Sequence, residues 1–304
     1  MGNIQYFQQQ QIDKSKWDAC IDGASNGLIY AYSYYLDIMS KNWDALVLGD
    51  YKCVMPLTWN KKYGVHYLYQ PPLAASLGVF GKEITASLLD DFLKAIPDKF
   101  KYWDISFNHG NFFQLKDFDL HERINYVLPL NESYDKIAAG YSHNTKRTAK
   151  KSQTSTDLMQ KDIHIGEVIA LAQERLQHVT KLSDEDFDRF KTLYDLLYKK
   201  QMATTYAVYT AQRQLVASAA FFFSHKRAYF ILAGNHPNGR TLGASHALLD
   251  SFIQEHAGQN LLLDFEGSDL RNLAFFFSTF GATVEKYSAI KLNRLPGYLR
   301  WMKK

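Results

Sequence analysis

The sequence predicts a mixed α/β protein organised as two domains, and three observations carry that reading. The chain has 304 residues, twice the roughly 150 residues of an ordinary domain. Helix-period and strand-like stretches alternate along its whole length rather than segregating. The order of the first half (helix, helix, three strands, helix, strand, helix, strand) recurs in the second, without any residue-level repeat. The expected boundaries are 1–140 and 157–304, with 141–156 as a basic linker helix and loop.

The first half opens with Asp13-Lys14-Ser15-Lys16-Trp17, a helix start with Asp13 as its cap. A second helix is expected from Ser33 to Met39. Strands follow at Ala45 to Leu48, Cys53 to Trp59 and His66 to Tyr69, with Asn60 to Gly64 as the turn between the last two. Ile84, Leu88, Leu89, Phe92, Leu93 and Ile96 set a helical period over Lys82 to Ile96, which Pro97 closes. A strand from Tyr102 to Phe107, a short helix from Phe112 to Leu115 and a strand from Ile124 to Leu130 complete the half. Tyr134 to Lys151 reads as one linker helix, with Gln153 to Thr156 as a loop.

In the second half, helices are expected over Glu167 to Val179 and Asp184 to Met202. The second takes its apolar face from Phe187, Phe190, Leu193, Leu197 and Tyr198. Strands follow at Thr205 to Thr210, Leu215 to Phe223 and Ala228 to Ala233. Then come a helix (Leu242 to His256), a strand (Leu261 to Phe265), a helix (Leu270 to Phe280) ended by Gly281, and a strand (Thr283 to Leu292).

Composition narrows the function classes. With 46% hydrophobic and 22% charged residues the chain is ordinary globular material. The 20 Tyr and 20 Phe suit sheets with packed faces. A net charge of +4 is compatible with an anionic ligand and falls short of a dedicated nucleic-acid binder. Cys20 and Cys53 make no CxxC and no metal spacing, which points to a reducing compartment. The first residues show no charged-then-apolar signal pattern, and the longest apolar run, Ala217 to Phe223, is too short to span a bilayer. The expectation is a soluble cytoplasmic protein without membrane insertion. The histidines form no i, i+4 pair and no HExxH motif, so no metal is expected. GxSxG and Walker A motifs are absent.

The segments carrying the most specific pattern are the basic stretch His143 to Ser152, the run Gly239 to Asp250, and Asp264-Phe265-Glu266-Gly267-Ser268 followed by Phe276 to Ala282. With the element order, they make the second half resemble the GNAT fold, the acyl-CoA N-acyltransferase architecture. Two such units joined by a basic helix resemble the FemAB-like family. Over the first half the resemblance rests on element order and Gln70-Pro71-Pro72. It implies two tandem GNAT-like domains, each a mixed, mostly antiparallel sheet flanked by helices. It also implies an N-acyltransferase taking an acyl group from acyl-CoA, acetyl-CoA for example, to an amine. Two alternatives stay open: an aminoacyl-tRNA-dependent transferase acting on a cell-wall precursor, and a non-catalytic binding protein that keeps the fold.

The resemblance also assigns residues. The family's carrier loop runs Arg or Gln, two residues, Gly, one residue, Gly or Ala. Here it reads Arg240-Thr241-Leu242-Gly243-Ala244-Ser245, with Ser245 departing from the pattern. Asn235, Arg240, Gly243, Ala244 and Ser245 are the candidate carrier-binding residues, and backbone N–H groups at a helix start suit a pyrophosphate. Gly81-Lys82-Glu83-Ile84 in the first half carries no such pattern. Glu266 is the candidate general base or amine-binding residue. The position where many GNAT enzymes place a general-acid Tyr is Phe277, so either the thiolate leaves unaided, or Tyr287 or Tyr229 substitutes, or the unit is not catalytic. Lys146, Arg147, Lys150 and Lys151 recur at i, i+1, i+4 and i+5, share one helix face, and could meet the phosphates of a coenzyme or tRNA; a solvated linker helix is the plain alternative.

Overall fold

The computed structural model describes residues 3–154, 158–176, 182–237, 239, 243–266 and 271–295. Contacts divide the chain into two units, one of 1–124 with 286–304 and one of 125–285. This division differs from the expected 1–140 and 157–304, because strand pairing allots the strands that close each half. The chain's last strand pairs within the first unit, and most of the strand expected to close the first half lies in the second unit.

The first unit contains β1 (Ile4–Phe7), α1 (Lys14–Gly23), α2 (Ser33–Met39), β2 (Asn42–Leu48), β3 (Cys53–Lys62), β4 (Val65–Tyr69), β5 (Phe80–Gly81), α3 (Ala86–Lys94) and β6 (Phe100–Ser106). The chain's final strand, β13 (Thr283–Asn293), joins it from Lys286 onward. The strand order is β1-β2-β3-β4-β6-β13, with β5 beside β3. Neighbours are antiparallel except β4 and β6, which run parallel across the α3 crossover. Asp13 caps α1 by accepting from the Ser15 and Lys16 backbone N–H groups at 3.1 Å each. Thr85 caps α3. The helical period of α3 buries Leu89, Phe92 and Leu93 against Leu46, Met55, Leu68, Phe100 and Trp103. The expected 112–115 helix is absent. A short 3-10 turn at His109–Asn111 precedes it instead, closed by Asn108, whose side chain accepts from the Gly110 N–H.

Buried amides fix the 77–81 loop of this unit. Asn26, Asn108 and Asn111 are each at most 3% exposed. Their Nδ2 groups all donate to the Val79 carbonyl, and Asn111 Oδ1 accepts from the Val79 N–H at 2.7 Å. Such satisfaction is what buried amides require.

The second unit takes β7 (His121–Pro129) from Asn125 onward, then α4 (Tyr134–Ala139), α5 (His143–Thr154), β8 (Leu158–Lys161), α6 (Ile165–Leu176), α7 (Asp184–Lys199), β9 (Ala203–Tyr209), β10 (Leu215–Ser224), β11 (Arg227–Asn235), α8 (Ala244–His256), β12 (Leu262–Asp264) and α9 (Arg271–Ser278). Its strand order is β7-β12-β11-β10-β9-β8. Only β11 and β12 run parallel, joined through α8. Leu248, Leu249, Phe252 and Ile253 of α8 pack on Tyr206, Val208, Phe221 and Leu263 of the sheet. Phe221 stacks on Phe252 at 3.9 Å between ring centroids. The single linker helix expected over 134–151 is two helices. Ser142 restarts the chain, its Oγ accepting from the Thr145 N–H at 3.2 Å. Among the described residues no helix is long and apolar enough to cross a membrane.

Candidate functional site

The second unit contains a gap at the carboxyl ends of two parallel strands. β11 and β12 pair only from Arg227/Leu262 to Tyr229/Asp264. β11 then runs on beside β10 as far as Asn235, opposite Ala217. β12 stops, and the Phe265 N–H turns to the Tyr126 carbonyl of β7 at 3.0 Å. The two strands therefore part after one turn's worth of pairing. In open α/β sheets this is where ligands bind.

On one side of the gap stand Asn235 and the loop into α8. Asn235 Oδ1 is buried and has no hydrogen-bond partner among the described residues, which is unusual enough in a folded protein to suggest a ligand donor. Gly239 must be glycine: a Cβ would stand 2.3 Å from the Val216 carbonyl oxygen and 2.6 Å from Asn235 Oδ1. Gly243 caps α8 in the left-handed region (φ +73°) and supplies no side-chain acceptor. Ala244 is buried and Ser245 half-buried in the first turn. Arg240 lies outside the described residues.

On the other side stand Asp264, Phe265 and Glu266. Glu266 follows β12 directly, is half-buried, and adopts φ +68°. A non-glycine residue there is strained, and such strain gathers at functional sites. The turn is held by the Glu266 N–H, which donates to Asp264 Oδ1 at 2.9 Å. Phe277 is 4% exposed and stacks on Phe265 at 4.5 Å, with Phe230 edge-on at 6.3 Å. The residue standing where the resembling enzymes place a Tyr is thus part of an aromatic floor.

α5 packs against α8. Thr145, Thr148 and Ala149 form its inner face, and Lys146, Arg147, Lys150 and Lys151 are all exposed. Thr148 Cγ2 lies only 2.2 Å from where a Cβ on Gly243 would stand. The structure therefore brings the basic helix and the first turn of α8 together. Lys146 Nζ donates to the Ala139 carbonyl at 2.8 Å and Arg147 to Asn144 Oδ1 at 3.4 Å. Gly243→Ala is expected to lower stability by about 2–3 kcal/mol through left-handed strain and overpacking. Adding Thr148→Ala should recover the steric part and leave about 1 kcal/mol, read by urea unfolding of both variants.

The two candidate acid substitutes belong to different units. Tyr229 is fully buried in β11 at the level of Asp264. Tyr287 belongs to the first unit and is 8% exposed, with the Arg123 guanidinium over its ring at 5.8 Å. His246, in the first turn of α8, packs on Phe276 and Phe280, and burial pulls its pKa down. Among the described residues no group of His, Cys, Asp or Glu could hold a metal ion.

Sequence reasoning missed the network beneath the gap. Arg227, 7% exposed, donates to Asp264 Oδ2 at 2.8 Å and to both Glu285 oxygens at 2.6 and 3.0 Å. Asn125 Nδ2 donates to Asp264 Oδ1 at 2.7 Å. Burial alone would pull the guanidinium down, but Glu285 and Asp264 outweigh it and hold its pKa above the ordinary value. The only sequence signal was a basic residue opening a strand.

No family model and no curated protein matches the chain. Solved structures do. FemX superposes with a TM-score of 0.66 at 12% identity, over 99% of this chain and 100% of that one. The fold is that of FemX. The same FemX-like fold is shared with L-PGS from Bacillus licheniformis, with a TM-score of 0.57 at 10% identity over 95% of each chain. It is shared too with a conserved protein of unknown function from Bacteroides thetaiotaomicron, with a TM-score of 0.60 at 10% identity over 96% of this chain and 100% of that one. At these identities the likeness is one of fold.

Proposed function

We propose that this protein transfers an acyl group from acyl-CoA to an amine at the gap between β11 and β12. The observation that carries the reading is the packing of α5 on the first turn of α8. A helix bearing four exposed cations thereby adjoins a helix start that has no side-chain cap. Phosphates are favoured at such a helix start and beside such cations. Gly243, Ala244 and Ser245 would hold the carrier phosphates. Asn235 Oδ1 would accept from an amide N–H of the carrier arm. The carrier supplies an activated thioester carbonyl. Glu266 takes the proton from the amine as its nitrogen bonds to that carbonyl carbon, and the carbon–sulfur bond breaks to release the thiolate. Tyr229, paired opposite Asp264 in the same unit, is the proposed group for returning a proton to it.

A second reading, an aminoacyl-tRNA donor with an amine on a cell-wall precursor as acceptor, is favoured by the length of the cationic face. Lys146 to Lys151 extends about 7–8 Å along the helix, more than one pyrophosphate requires. The two readings separate in one thermal-shift series with acetyl-CoA, CoA and uncharged tRNA. Acyl-CoA use requires stabilisation by CoA at near-millimolar ligand. A tRNA donor requires stabilisation by tRNA that falls steeply with salt, and Arg147→Glu with Lys150→Glu should weaken it by about tenfold or more. If none of the three shifts the transition, the transfer reading fails.

A further inference from the structure

The tip of the β3–β4 hairpin in the first unit is built as a projecting finger. β2 accompanies β3 only as far as Trp59, opposite Asn42, and β6 meets β4 only from His66, opposite Phe100. Asn60 to Val65 therefore pair only within the hairpin: Asn60 with Tyr67, Lys61 with His66 and Lys62 with Val65. Tyr63 and Gly64 make the two-residue turn, with φ +48° and +81°. A turn with both residues at positive φ ordinarily takes Asn-Gly or Asp-Gly, because a bulky side chain there is strained. Tyr63 accepts that strain and leaves its ring 75% exposed, more than any other large hydrophobic side chain among the described residues. A ring this exposed buries little apolar surface to offset that strain, so its place is better explained by what it meets outside the chain.

Charge says what that is. Lys61 and Lys62 are exposed directly behind the ring. His66 faces Lys61 across the hairpin, and Lys99, ion-paired to Asp44, stands at its base over Trp59. From Tyr51 to Lys82 the chain contains no Asp or Glu. The order along the finger is aromatic ring first, ammonium groups behind it. That order matches a lipid interface, where tyrosine sits at the headgroup level and lysine stems reach back to the phosphates. It suits a stacking platform for nucleotide bases less well, because Lys62 Nζ already lies 5.5 Å from the Tyr63 ring centroid and occupies one face.

We propose that the β3–β4 tip is a membrane-touching finger that seats Tyr63 among anionic phospholipid headgroups, with Lys61 and Lys62 as their counter-charges. The proposal concerns binding alone and stands whether or not the transfer reaction is correct. The test is co-sedimentation of the full chain with phosphatidylcholine vesicles, with and without about one-third phosphatidylglycerol. The anionic vesicles should retain at least about fivefold more protein at low salt, and high salt should abolish the difference. Tyr63→Asn and the pair Lys61→Glu/Lys62→Glu should each remove it. Asn suits the left-handed turn, so Tyr63→Asn should melt at or above the wild-type temperature, and lost binding then cannot be lost folding. The proposal is overturned if wild type does not prefer anionic vesicles. It is equally overturned if the variants bind as wild type does, or if the finger binds an RNA oligonucleotide and not the vesicles.

Discussion

Arg227→Met is expected to destabilise the second unit by about 3–5 kcal/mol, the range found when one partner of a buried ion pair is removed. Met keeps the aliphatic stem and removes the guanidinium, so the loss combines two stranded carboxylates with the space the guanidinium leaves. It strands Asp264, whose carboxylate is 6% exposed, and leaves Glu285, at 21%, without the fork that bridges them. Arg227→Lys should recover only part of the loss, because one ammonium cannot reproduce the two-pronged contact with Glu285. Arg227→Met combined with Asp264→Asn and Glu285→Gln should recover more than Lys does, since no uncompensated charge then stays buried. Urea unfolding of the four proteins checks the series, and a triple variant no more stable than Arg227→Met would refute the electrostatic account. The network also reaches the site. Asp264 uses Oδ2 for Arg227 and Oδ1 for the Glu266 N–H, so the strained turn at Glu266 hangs on the same carboxylate.

That dependence marks the limit of what the sequence shows. α3, α7 and β10 were legible because their apolar spacing is local and buries most of the face it names: Leu89, Phe92 and Leu93; Phe187, Phe190, Leu193 and Leu197, though Tyr198, expected on the same face, is 48% exposed; and the run from Val216 to Phe222. β1 and β8 were not, being four-residue edge strands whose existence depends on partners far along the chain. The break in the 134–151 helix was readable from Gly140 and Ser142, a helix stop and a helix start, but the charge periodicity around Lys146 masked it. The left-handed Gly243 at the start of α8 was legible as part of a glycine pattern. That α5 would lie on it was not, because nothing in a sequence pairs Thr148 with Gly243. Arg227 meets Asp264 and Glu285 across 37 and 58 residues, a separation no spacing rule covers. The allotment of β7 and β13 between the units is hidden for the same reason: strand pairing is a long-range choice.

Glu266→Gln is expected to lower turnover by about 10²-fold or more while leaving stability within about 0.5 kcal/mol, because the amide keeps the shape and loses the base. The backbone supplies a second, opposite lever. At φ +68° the residue sits where glycine would be relaxed. Glu266→Gly should therefore gain about 1 kcal/mol of stability by releasing the strain and should lose as much turnover as Gln does. A purely structural Glu266 predicts another pair of results: unchanged turnover in Gln, and no loss of turnover in Gly beyond what flexibility brings. Activity with acetyl-CoA and a small-amine panel, measured beside urea unfolding, separates the two. Loss of turnover in both variants, with stability kept in Gln and raised in Gly, would assign the carboxylate at this strained position to the reaction rather than to the fold.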